Sequence, residues 1–438
     1  MKKLFLLTAL FVAAAFPSCS KHDGVETPDW PEPQPLAIAF VEGSSLEFDV
    51  GETKTVHYTI TGGSANNVVK VEMQNPDDAY AVETTPISAT EGTITITAKK
   101  PSNENRIIVT VSDGSQTLTA EIAVTFRVFD GKTVVVEIPG SLGYWLAPYE
   151  SSIIELTVIG TLNSSDIATL KNLPNLAILD MENVNLEALP ADTFRNKTSL
   201  TSVKLPKTLK KIGSYAFSGC SGLTSVTIPD SVTSIGDRAF QDCSSLTSVT
   251  IPDSVTSIPV QTFDGCSSLT SVTIPDGVTT IGSSAFNGCS SLTSVTIPGS
   301  VTEIYNYAFY GCSSLTSVTI PDSVTEICYC AFSGCRSLTS VTIGNSVKYI
   351  ENYAFDGCSG LTSVTIGNSV TFIDSEAFRG CSSLTRVYCK AIVPPIIVND
   401  TFDKVSATAT LYVPTGCKAA YAAATEWSKF KTIEETQF

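Results

Sequence analysis

The sequence predicts a mostly β protein in which an N-terminal β-sandwich is followed by a capped solenoid. Two patterns carry this prediction. Apolar and polar residues alternate with period two between Leu36 and Val128, and a unit of 23 residues recurs through the second half of the chain. The 438 residues are only 16% charged, and the mean hydropathy is +0.19. That composition excludes a disordered chain.

The N-terminal residues are predicted to form an export signal. Lys2 and Lys3 precede an apolar run that ends at Phe16, which is too short to span a membrane as a permanent helix. The Ser18-Cys19 pair that follows resembles the lipobox of bacterial lipoproteins, which implies a signal peptide over 1–18 and acylation of the Cys19 thiol. Ordinary cleavage inside the preceding alanine run is the alternative. Residues 19–35 are predicted to form a Pro-rich acidic spacer.

Residues 36–128 are predicted to form an immunoglobulin-like β-sandwich. Short alternating segments such as Thr55–Ile60, Thr93–Ala98 and Ile107–Val111 are separated by Gly, Asn and Asp turn signals. The Ser/Thr-rich strands are similar to the small immunoglobulin-like modules of bacterial surface proteins. His57 lies inside an alternating strand, so we interpret it as structural rather than catalytic.

Residues 173–389 are predicted to form the solenoid, because apolar residues recur there at a constant step. Leu223, Val226 and Ile228 form an inward-facing strand, and the proline after it removes a backbone donor and ends that strand. Val232 and Ile235 make a second inward pair. The Ala-Phe pair that follows is predicted to form a turn of α- or 3₁₀-helix. Its phenylalanines fall every 23 residues, at Phe217, Phe240, Phe263, Phe286, Phe309, Phe332, Phe355 and Phe378.

Both ends of the stack need caps, because an open coil exposes its core and its unpaired strand edge. Residues 129–172 are predicted to form the N-terminal cap and first coil. The period stops after Cys389, and residues 390–438 are predicted to form a C-terminal cap with a strand and a helix. Ten or so coils at ~4.8 Å give a stack about 50 Å long.

Eight of the 13 cysteines recur with the same 23-residue step. Equivalent side chains in a stack point in parallel about 5 Å apart, which suits neither a disulfide nor a tetrahedral zinc site. We therefore predict buried free thiols that act as small apolar residues. Cys328 and Cys330 stand outside the series and are expected to be exposed bystanders. The periodic cysteines are Cys220, Cys243, Cys266, Cys289, Cys312, Cys335, Cys358 and Cys381.

The repeating unit Leu-Thr-Ser-Val-Thr-Ile-Pro, followed by Ala-Phe and Cys-Ser, resembles the BspA-like leucine-rich repeats of bacterial cell-surface proteins. It runs from Thr198 to Cys389. Residues 159–163 and 411–414 also resemble the ends of such proteins from Gram-negative anaerobes. The resemblance implies a leucine-rich-repeat solenoid on an outer-membrane lipoprotein exposed at the cell surface. It further implies an adhesin that binds host extracellular-matrix proteins or other bacteria.

Specificity is expected where coils depart from the consensus, because the outward hydroxyl rows of Thr224, Ser225 and Thr227 are too uniform to form a specific pocket. Aromatic residues at variable positions are the candidate binding patch, since tyrosine often anchors protein or glycan contacts. Tyr349 and Phe372 are one repeat apart, so they should be stacked neighbours, with Glu303 and Glu326 continuing the row. The patch comprises Tyr305, Tyr307, Tyr310, Tyr329, Tyr349, Tyr353 and Phe372.

A second candidate is basic. Lys197 and four further lysines fall within one coil of an acidic protein, where they could meet an acidic glycan or the neighbouring acidic segment 129–196. We favour the internal pairing, because that segment should be adjacent in space. The secondary basic patch comprises Lys204, Lys207, Lys210 and Lys211.

Composition argues against other functions. A net charge of -16 disfavours nucleic acid and anionic membrane surfaces as partners. The solenoid has no histidine to activate its many hydroxyls, and neither metal-ligand spacing nor a phosphate-binding loop occurs. We therefore predict a non-enzymatic protein without a cofactor or metal. A glycan-capture lipoprotein for nutrient uptake and a structural envelope protein remain the alternatives to an adhesin.

Overall fold

The computed structural model describes residues 35–48, 52–62, 66–74, 80–99, 105–126, 131–136 and 138–438. They form two compact units. The first holds the described residues up to 126 together with 138–148, and the second holds 131–136 and everything from Tyr149 onward. The predicted N-terminal cap, 129–172, is thus divided between the units. The predicted signal peptide, Cys19 and nearly all of the spacer lie outside the described residues.

The first unit is a sandwich of two four-stranded sheets, ordered β1-β3-β6-β5 and β2-β8-β7-β4. The pair β2–β8 is parallel, and the other pairs are antiparallel. The strands are β1 (Ala37–Phe40), β2 (Ser45–Phe48), β3 (Thr53–Thr61), β4 (Val68–Met73), β5 (Tyr80–Ser88), β6 (Glu91–Ala98), β7 (Asn105–Ser112) and β8 (Thr117–Phe126).

This topology confirms the immunoglobulin-like prediction. If β1 and β2 are counted as two halves of strand A, the first sheet has the strand order A-B-E-D of that fold. The second sheet then contains strands C, F and G together with the second half of strand A. The period-two pattern also places the core as expected, because Val56, Tyr58 and Ile60 are buried while the residues between them face outward. His57 is one of those outward residues, and its ring Nδ1 lies 2.6 Å from Glu42 Oε1.

The second unit is a parallel β-solenoid of about 13 coils. We call its longer strands the first column. The column begins with Glu155–Thr161, which also pairs with Thr133–Val136 and Val184–Asn185. Its later strands are Ile178–Asp180, Ser202–Lys204, Ser225–Thr227, Ser248–Thr250, Ser271–Thr273, Ser317–Ile320, Ser340–Ile343, Ser363–Ile366, Arg386–Cys389, Thr410–Pro414 and Thr432–Thr436, with a single bridge at Ser294.

A second column of two-residue strands runs beside the first, and its register also advances by one repeat per coil. Its inward residue is buried in every coil, as Ile235 and Ile258 illustrate. The strands are Ala188–Leu189, Lys211–Ile212, Ser234–Ile235, Ser257–Ile258, Thr280–Ile281, Glu303–Ile304, Glu326–Ile327, Tyr349–Ile350, Phe372–Ile373 and Ile396–Ile397.

After the two strand columns, the third side of each coil contains the Ala-Phe pair. The prediction of a helical turn at this pair is wrong. Arg238, immediately before that pair, has a left-handed φ of 57°. The backbone N–H groups of Arg238 and Phe240 donate to the carbonyls of Val260 and Thr262 in the next coil, at 2.9 Å each. A helix would bond those groups within its own chain segment. Here they instead make a third set of backbone hydrogen bonds between coils.

Beside the buried Leu, Val and Ile residues, two further side-chain columns run through the interior. Ten phenylalanine rings, from Phe194 to Phe402, stack along the unit with centroids 5.2–5.6 Å apart. The eight periodic cysteines are buried and unpaired, which confirms the prediction of free thiols. Each thiol does more than fill space, because Cys243 Sγ donates to the Phe217 carbonyl at 3.2 Å and the rest of the series repeats this bond.

The described helices lie outside the regular coils. Ser164–Asn172 forms a helix whose capping box joins Asn163 and Asp166, and Leu142–Leu146 is a short helix of the first unit. At the C-terminus, helix Lys418–Ala423, 3₁₀-helix Trp427–Lys429 and the last strand form the cap, as predicted. Trp427 and Tyr421 are fully buried there.

Candidate binding surfaces

Within residues 138–438 and the described part of the sandwich, no three His, Cys, Asp or Glu side chains group as metal ligands. The described residues also contain no helix long and apolar enough to cross a membrane. Burial raises the pKa of the Cys312 thiol to about 12 and that of Cys243 well above its ordinary value. These buried thiols therefore stay protonated at neutral pH, and the thiolate is the reactive form of cysteine.

The hydroxyl rows have two different roles. Thr224 Oγ1 donates to the Thr201 carbonyl at 3.0 Å, the same oxygen that accepts the Thr224 N–H. This arrangement recurs in the coils at Thr247 and Thr270 and beyond. That row ties coils together although its side chains are exposed, whereas the exposed rows of Ser225 and Thr227 lie on the outward face of the strands. The sequence alone did not separate these roles.

Four of the predicted tyrosines meet on the third side of the coils, and we call them the turn cluster. Tyr307 contacts Tyr310 and Tyr329 edge-on, with ring centroids 5.6 and 5.2 Å apart. Tyr329 in turn contacts Tyr353 at 5.9 Å. Tyr307, Tyr329 and Tyr353 are half-buried, whereas Tyr310 is exposed. Much of the surface of these rings thus packs against other residues of the protein.

An ion network closes the turn cluster at its C-terminal end. The Arg379 guanidinium lies 5.1 Å from the Tyr353 ring centroid and forms two bonds to Asp356, at 2.9 and 3.2 Å. Arg379 also pairs with Glu376, whose Oε1 accepts the Tyr353 hydroxyl at 2.8 Å. The bond to Asp356 is the main cause of a raised Arg379 pKa. The polar groups at this end of the cluster are thus paired with one another within the protein.

Tyr349 and Phe372 lie apart from the turn cluster, on the outward side of the second column. They are register partners, which confirms the prediction that they are stacked neighbours. Glu326 pairs with Tyr349 on one side, and Phe372 pairs with Ile396 on the other. We call Glu303, Glu326, Tyr349, Phe372 and Ile396 the axial row.

Sequence reasoning missed the apolar end of this surface. Ile392, Val393 and Ile396 are 73%, 77% and 68% exposed, although they are large aliphatic residues. They lie between the last regular coil and the C-terminal cap, where the repeat has stopped. The available signal was compositional, because earlier coils place Asp-Ser or Asn-Ser where this segment has aliphatic residues.

A stacked tyrosine pair on the first column was also missed. Tyr388 and Tyr412 have ring centroids 4.6 Å apart with planes 17° from parallel. Tyr388 is the register partner of Thr365, so the pair replaces the exposed threonine row at the C-terminal end of the sheet. Arg386 lies two residues away on the same strand and is exposed.

Carboxylates surround the other end of the axial row. Glu303 Oε2 accepts the exposed Tyr305 hydroxyl at 2.9 Å. Burial and the adjacent Glu351 raise the pKa of Glu326. Cys328, half-buried beside these acids, has its pKa raised to about 12, mainly by burial. The expectation that Cys328 and Cys330 are exposed is wrong, because Cys330 is buried with the turn.

Two of the four lysines of the predicted basic patch pair within the protein. Lys204 Nζ lies 2.7 Å from Asp180, and Lys207 Nζ lies 2.8 Å from Glu182, both acids of the preceding coil. Although partial burial opposes it, the bond from Lys204 holds the Asp180 pKa below its ordinary value. Lys210 and Lys211 are exposed.

Parallel coils with Leu, Val and Ile facing inward at constant spacing define the second unit as a leucine-rich-repeat solenoid. The family described as "BspA type Leucine rich repeat region" matches in six copies, over residues 187–316 and 302–428. These matches cover more than half of the chain, and the protein therefore belongs to that family.

Solved structures of other leucine-rich repeat proteins are similar to the chain. A leucine-rich repeat protein from Bacteroides ovatus is 22% identical, with 75% of this chain and 98% of that chain covered and a TM-score of 0.41. The Treponema pallidum leucine-rich repeat protein is 25% identical, with 54% and 86% covered and a TM-score of 0.31. A leucine-rich cell surface protein from Faecalibacterium prausnitzii is 25% identical, with 64% and 86% covered and a TM-score of 0.26. No curated protein matches the chain.

Proposed function

We propose that the protein is a non-enzymatic, adhesin-like binding protein of the bacterial cell surface. The signal peptide over 1–18 exports it, acylation at Cys19 anchors it in the outer membrane, and the spacer over 19–35 raises the folded units above that membrane. The solenoid then binds a protein of the host matrix or of another cell. Membership in the BspA-type repeat family supports a role in protein interaction.

One observation carries this proposal. An aromatic and aliphatic surface interrupts the exposed serine and threonine rows of the regular coils, and Tyr305, Tyr310 and Tyr349 are exposed within it. Exposed tyrosines are common anchors of protein interfaces, because each presents a large rigid ring with a polar end. The consensus coils offer no comparable feature.

The experiment is a triple substitution, Tyr305→Ser, Tyr310→Ser and Tyr349→Ser, measured as adhesion of the purified protein to immobilised matrix proteins. We expect adhesion to fall, because the variant removes three rings from the proposed contact. Tyr144→Ser is the matched control, since Tyr144 is an exposed tyrosine outside the solenoid. Unchanged adhesion of the triple variant would sink the proposal. Protease shaving of whole cells tests surface exposure, and protection of the solenoid in intact cells would exclude it.

Glycan capture is the second candidate function, and the stacked pair Tyr388 and Tyr412 favours it. Aromatic rings beside rows of hydroxyl groups provide both a stacking surface and hydrogen-bonding groups for a sugar. A glycan array separates the two functions. Binding that is lost in Tyr388→Ser and kept in Tyr349→Ser would favour glycan capture over adhesion through the axial row.

A further inference from the structure

The axial row is a straight, rigid line of side chains. Its members come from successive strands of the second column, where backbone pairing fixes their spacing. Adjacent strands lie about 4.8 Å apart, so the row extends for roughly 19 Å. An extended polypeptide covers that length with about six residues.

One half of the row is apolar. Tyr349 is 48% exposed, Phe372 is half-buried, and Ile396 is mostly exposed beside Ile392 and Val393. The same position carries serine or threonine in earlier coils, for example at Ser257. A contiguous group of exposed large apolar side chains on a soluble unit indicates an interaction site.

The other half is acidic. Within residues 138–438, Glu303, Glu326 and the neighbouring Glu351 form no ion pair with lysine or arginine, although ion pairs are found elsewhere in the unit. Glu351 Oε2 accepts the Tyr329 N–H at 2.5 Å, Glu303 Oε2 accepts the Tyr305 hydroxyl at 2.9 Å, and Glu326 shares a hydrogen bond with Glu351. The raised pKa of Glu326 reflects burial and this like-charge neighbour. A cation from a partner would relieve the repulsion.

The open strand edge does not explain the surface. The Ile396 N–H bonds to the Thr371 carbonyl of the preceding coil, so the next donor would bond to the equivalent carbonyl, that of Pro395. Trp427 of the C-terminal cap already donates its indole N–H to that oxygen at 2.7 Å. An added strand would therefore share this acceptor with the cap, and we take the outward side chains as the recognised surface.

We infer that the axial row, with Ile392 and Val393, binds an extended polypeptide segment that has apolar side chains at one end and basic side chains at the other. The apolar side chains lie over Tyr349, Phe372 and Ile396, and the basic ones meet the carboxylates. This inference rests on the proposed role in protein binding and names the class of partner. Charge complementarity carries it, because the acidic half lacks a cation of its own.

The test uses the full chain and fluorescent peptides of about eight residues, half leucine, phenylalanine and valine and half lysine and arginine, in both orders. Matched peptides carry glutamate in place of the basic residues. Fluorescence anisotropy should detect binding of at least one basic peptide and of neither acidic one. Phe372→Ser with Ile396→Ser should weaken binding about tenfold or more, as expected for central apolar anchors. Glu303→Gln with Glu326→Gln should weaken it several-fold and flatten its salt dependence.

Matched controls separate these effects from general loss of charge or fold. Asp230→Asn with Asp253→Asn removes the same charge from exposed turns, and Ile154→Ser removes an aliphatic side chain of similar exposure. Both should leave peptide affinity unchanged, and no variant should melt below the wild-type temperature. Equal loss in controls and test variants, equal binding of the acidic peptides, or no binding by the wild type would overturn the inference.

Two further measurements separate a polypeptide partner from a second copy of this chain, and the inference from the proposed function. Sedimentation velocity that shows a dimer dissolved by Phe372→Ser with Ile396→Ser would assign the row to a second copy and overturn the inference. Adhesion to immobilised matrix proteins is measured on the same variants. Adhesion that persists after the row is disrupted contradicts the inference alone, whereas a wild type that adheres to nothing contradicts the proposed function.

Discussion

Lys197 should be one of the more costly polar residues to replace in the solenoid. It occupies the position that cysteine fills in the following coils, and it is only 9% exposed. Its Nζ donates to the Lys171 carbonyl at 3.0 Å, which is the bond that each periodic thiol makes with the preceding coil. It also donates to the Leu173 carbonyl. Both oxygens lie at the C-terminal end of helix Ser164–Asn172, where carbonyls lack helical partners.

The magnitude follows from these bonds. A hydrogen bond with a charged partner contributes about 1.5–3 kcal/mol, and part of this is offset because burial of the ammonium is itself unfavourable. Burial indeed lowers the Lys197 pKa. Lys197→Met keeps the volume and removes the donor from the buried Leu173 carbonyl and the partly buried Lys171 carbonyl, so we expect the local stability to fall by about 2–3 kcal/mol. Lys197→Cys should cost less, because the thiol keeps the register of the bond to the Lys171 carbonyl.

Amide hydrogen exchange followed by mass spectrometry measures this effect locally. The expected loss corresponds to roughly 30-fold to 100-fold faster exchange in the helix Ser164–Asn172, since about 1.4 kcal/mol changes an equilibrium tenfold. Lys210→Met is the control, because Lys210 is an exposed lysine of the same coil. The wild type should be the most stable, Lys197→Cys intermediate and Lys197→Met the least stable, and any other order would refute the reasoning. A Lys197→Met variant whose helix exchanges as slowly as that of the wild type would refute it outright.

The pH dependence gives an independent check. Because the folded pKa of Lys197 lies below its unfolded value, the unfolded chain binds the proton more tightly. The lysine's contribution to stability therefore rises as the pH increases from the folded pKa toward the unfolded one. The difference between wild type and Lys197→Met should thus grow at alkaline pH, and a constant difference would contradict the assigned burial.

Three further predictions concern the stack. Phe309→Leu should destabilise the solenoid by about 1–3 kcal/mol in urea unfolding, because it removes a ring packed at 5.2 Å on both sides, and a neutral effect would contradict the role of the phenylalanine column. Ser284→Gly should raise stability by up to about 1 kcal/mol while Gly288→Ala lowers it by about 1 kcal/mol, since both sites have left-handed φ, 56° and 69°, and the opposite signs would refute that reasoning. Glu326→Gln should raise the melting temperature at neutral pH. The folded pKa of Glu326 is raised, so the wild type is relatively most stable below the unfolded pKa, and the variant's advantage should vanish on acidification.

The repeat made much of the solenoid predictable. A constant step of 23 residues assigns one face to every position, so the inward residues Leu223, Val226 and Ile235 and the free thiols followed from the sequence. The pairing of Tyr349 with Phe372 followed in the same way, because both stand on strands whose register equals the repeat.

The third side of the coil was not predictable by the same rule. There the Tyr307 N–H donates to the Tyr329 carbonyl, which lies 22 residues ahead rather than 23. Residues that touch across this side are therefore offset by one position, and the repeat alone does not bring Tyr307 onto Tyr329. The left-handed residue before each Ala-Phe pair gave no signal either, because it is tyrosine, arginine or glutamate more often than a small residue. Ile392 and Val393 were missed because the repeat stops before them.

The consensus polar residues also explain why binding is expected at departures from the repeat. Most of these side chains donate hydrogen bonds to carbonyls of neighbouring coils, as Thr224, Ser254 and the periodic cysteines do. Substitutions at these positions therefore weaken the stack. The outward second-column position makes no such bond at Tyr349, Phe372 or Ile396, and it is free to vary. Because backbone pairing holds these side chains in place, a partner loses little further entropy in ordering them. A rigid scaffold that varies at one outward position can thus gain specificity without losing stability.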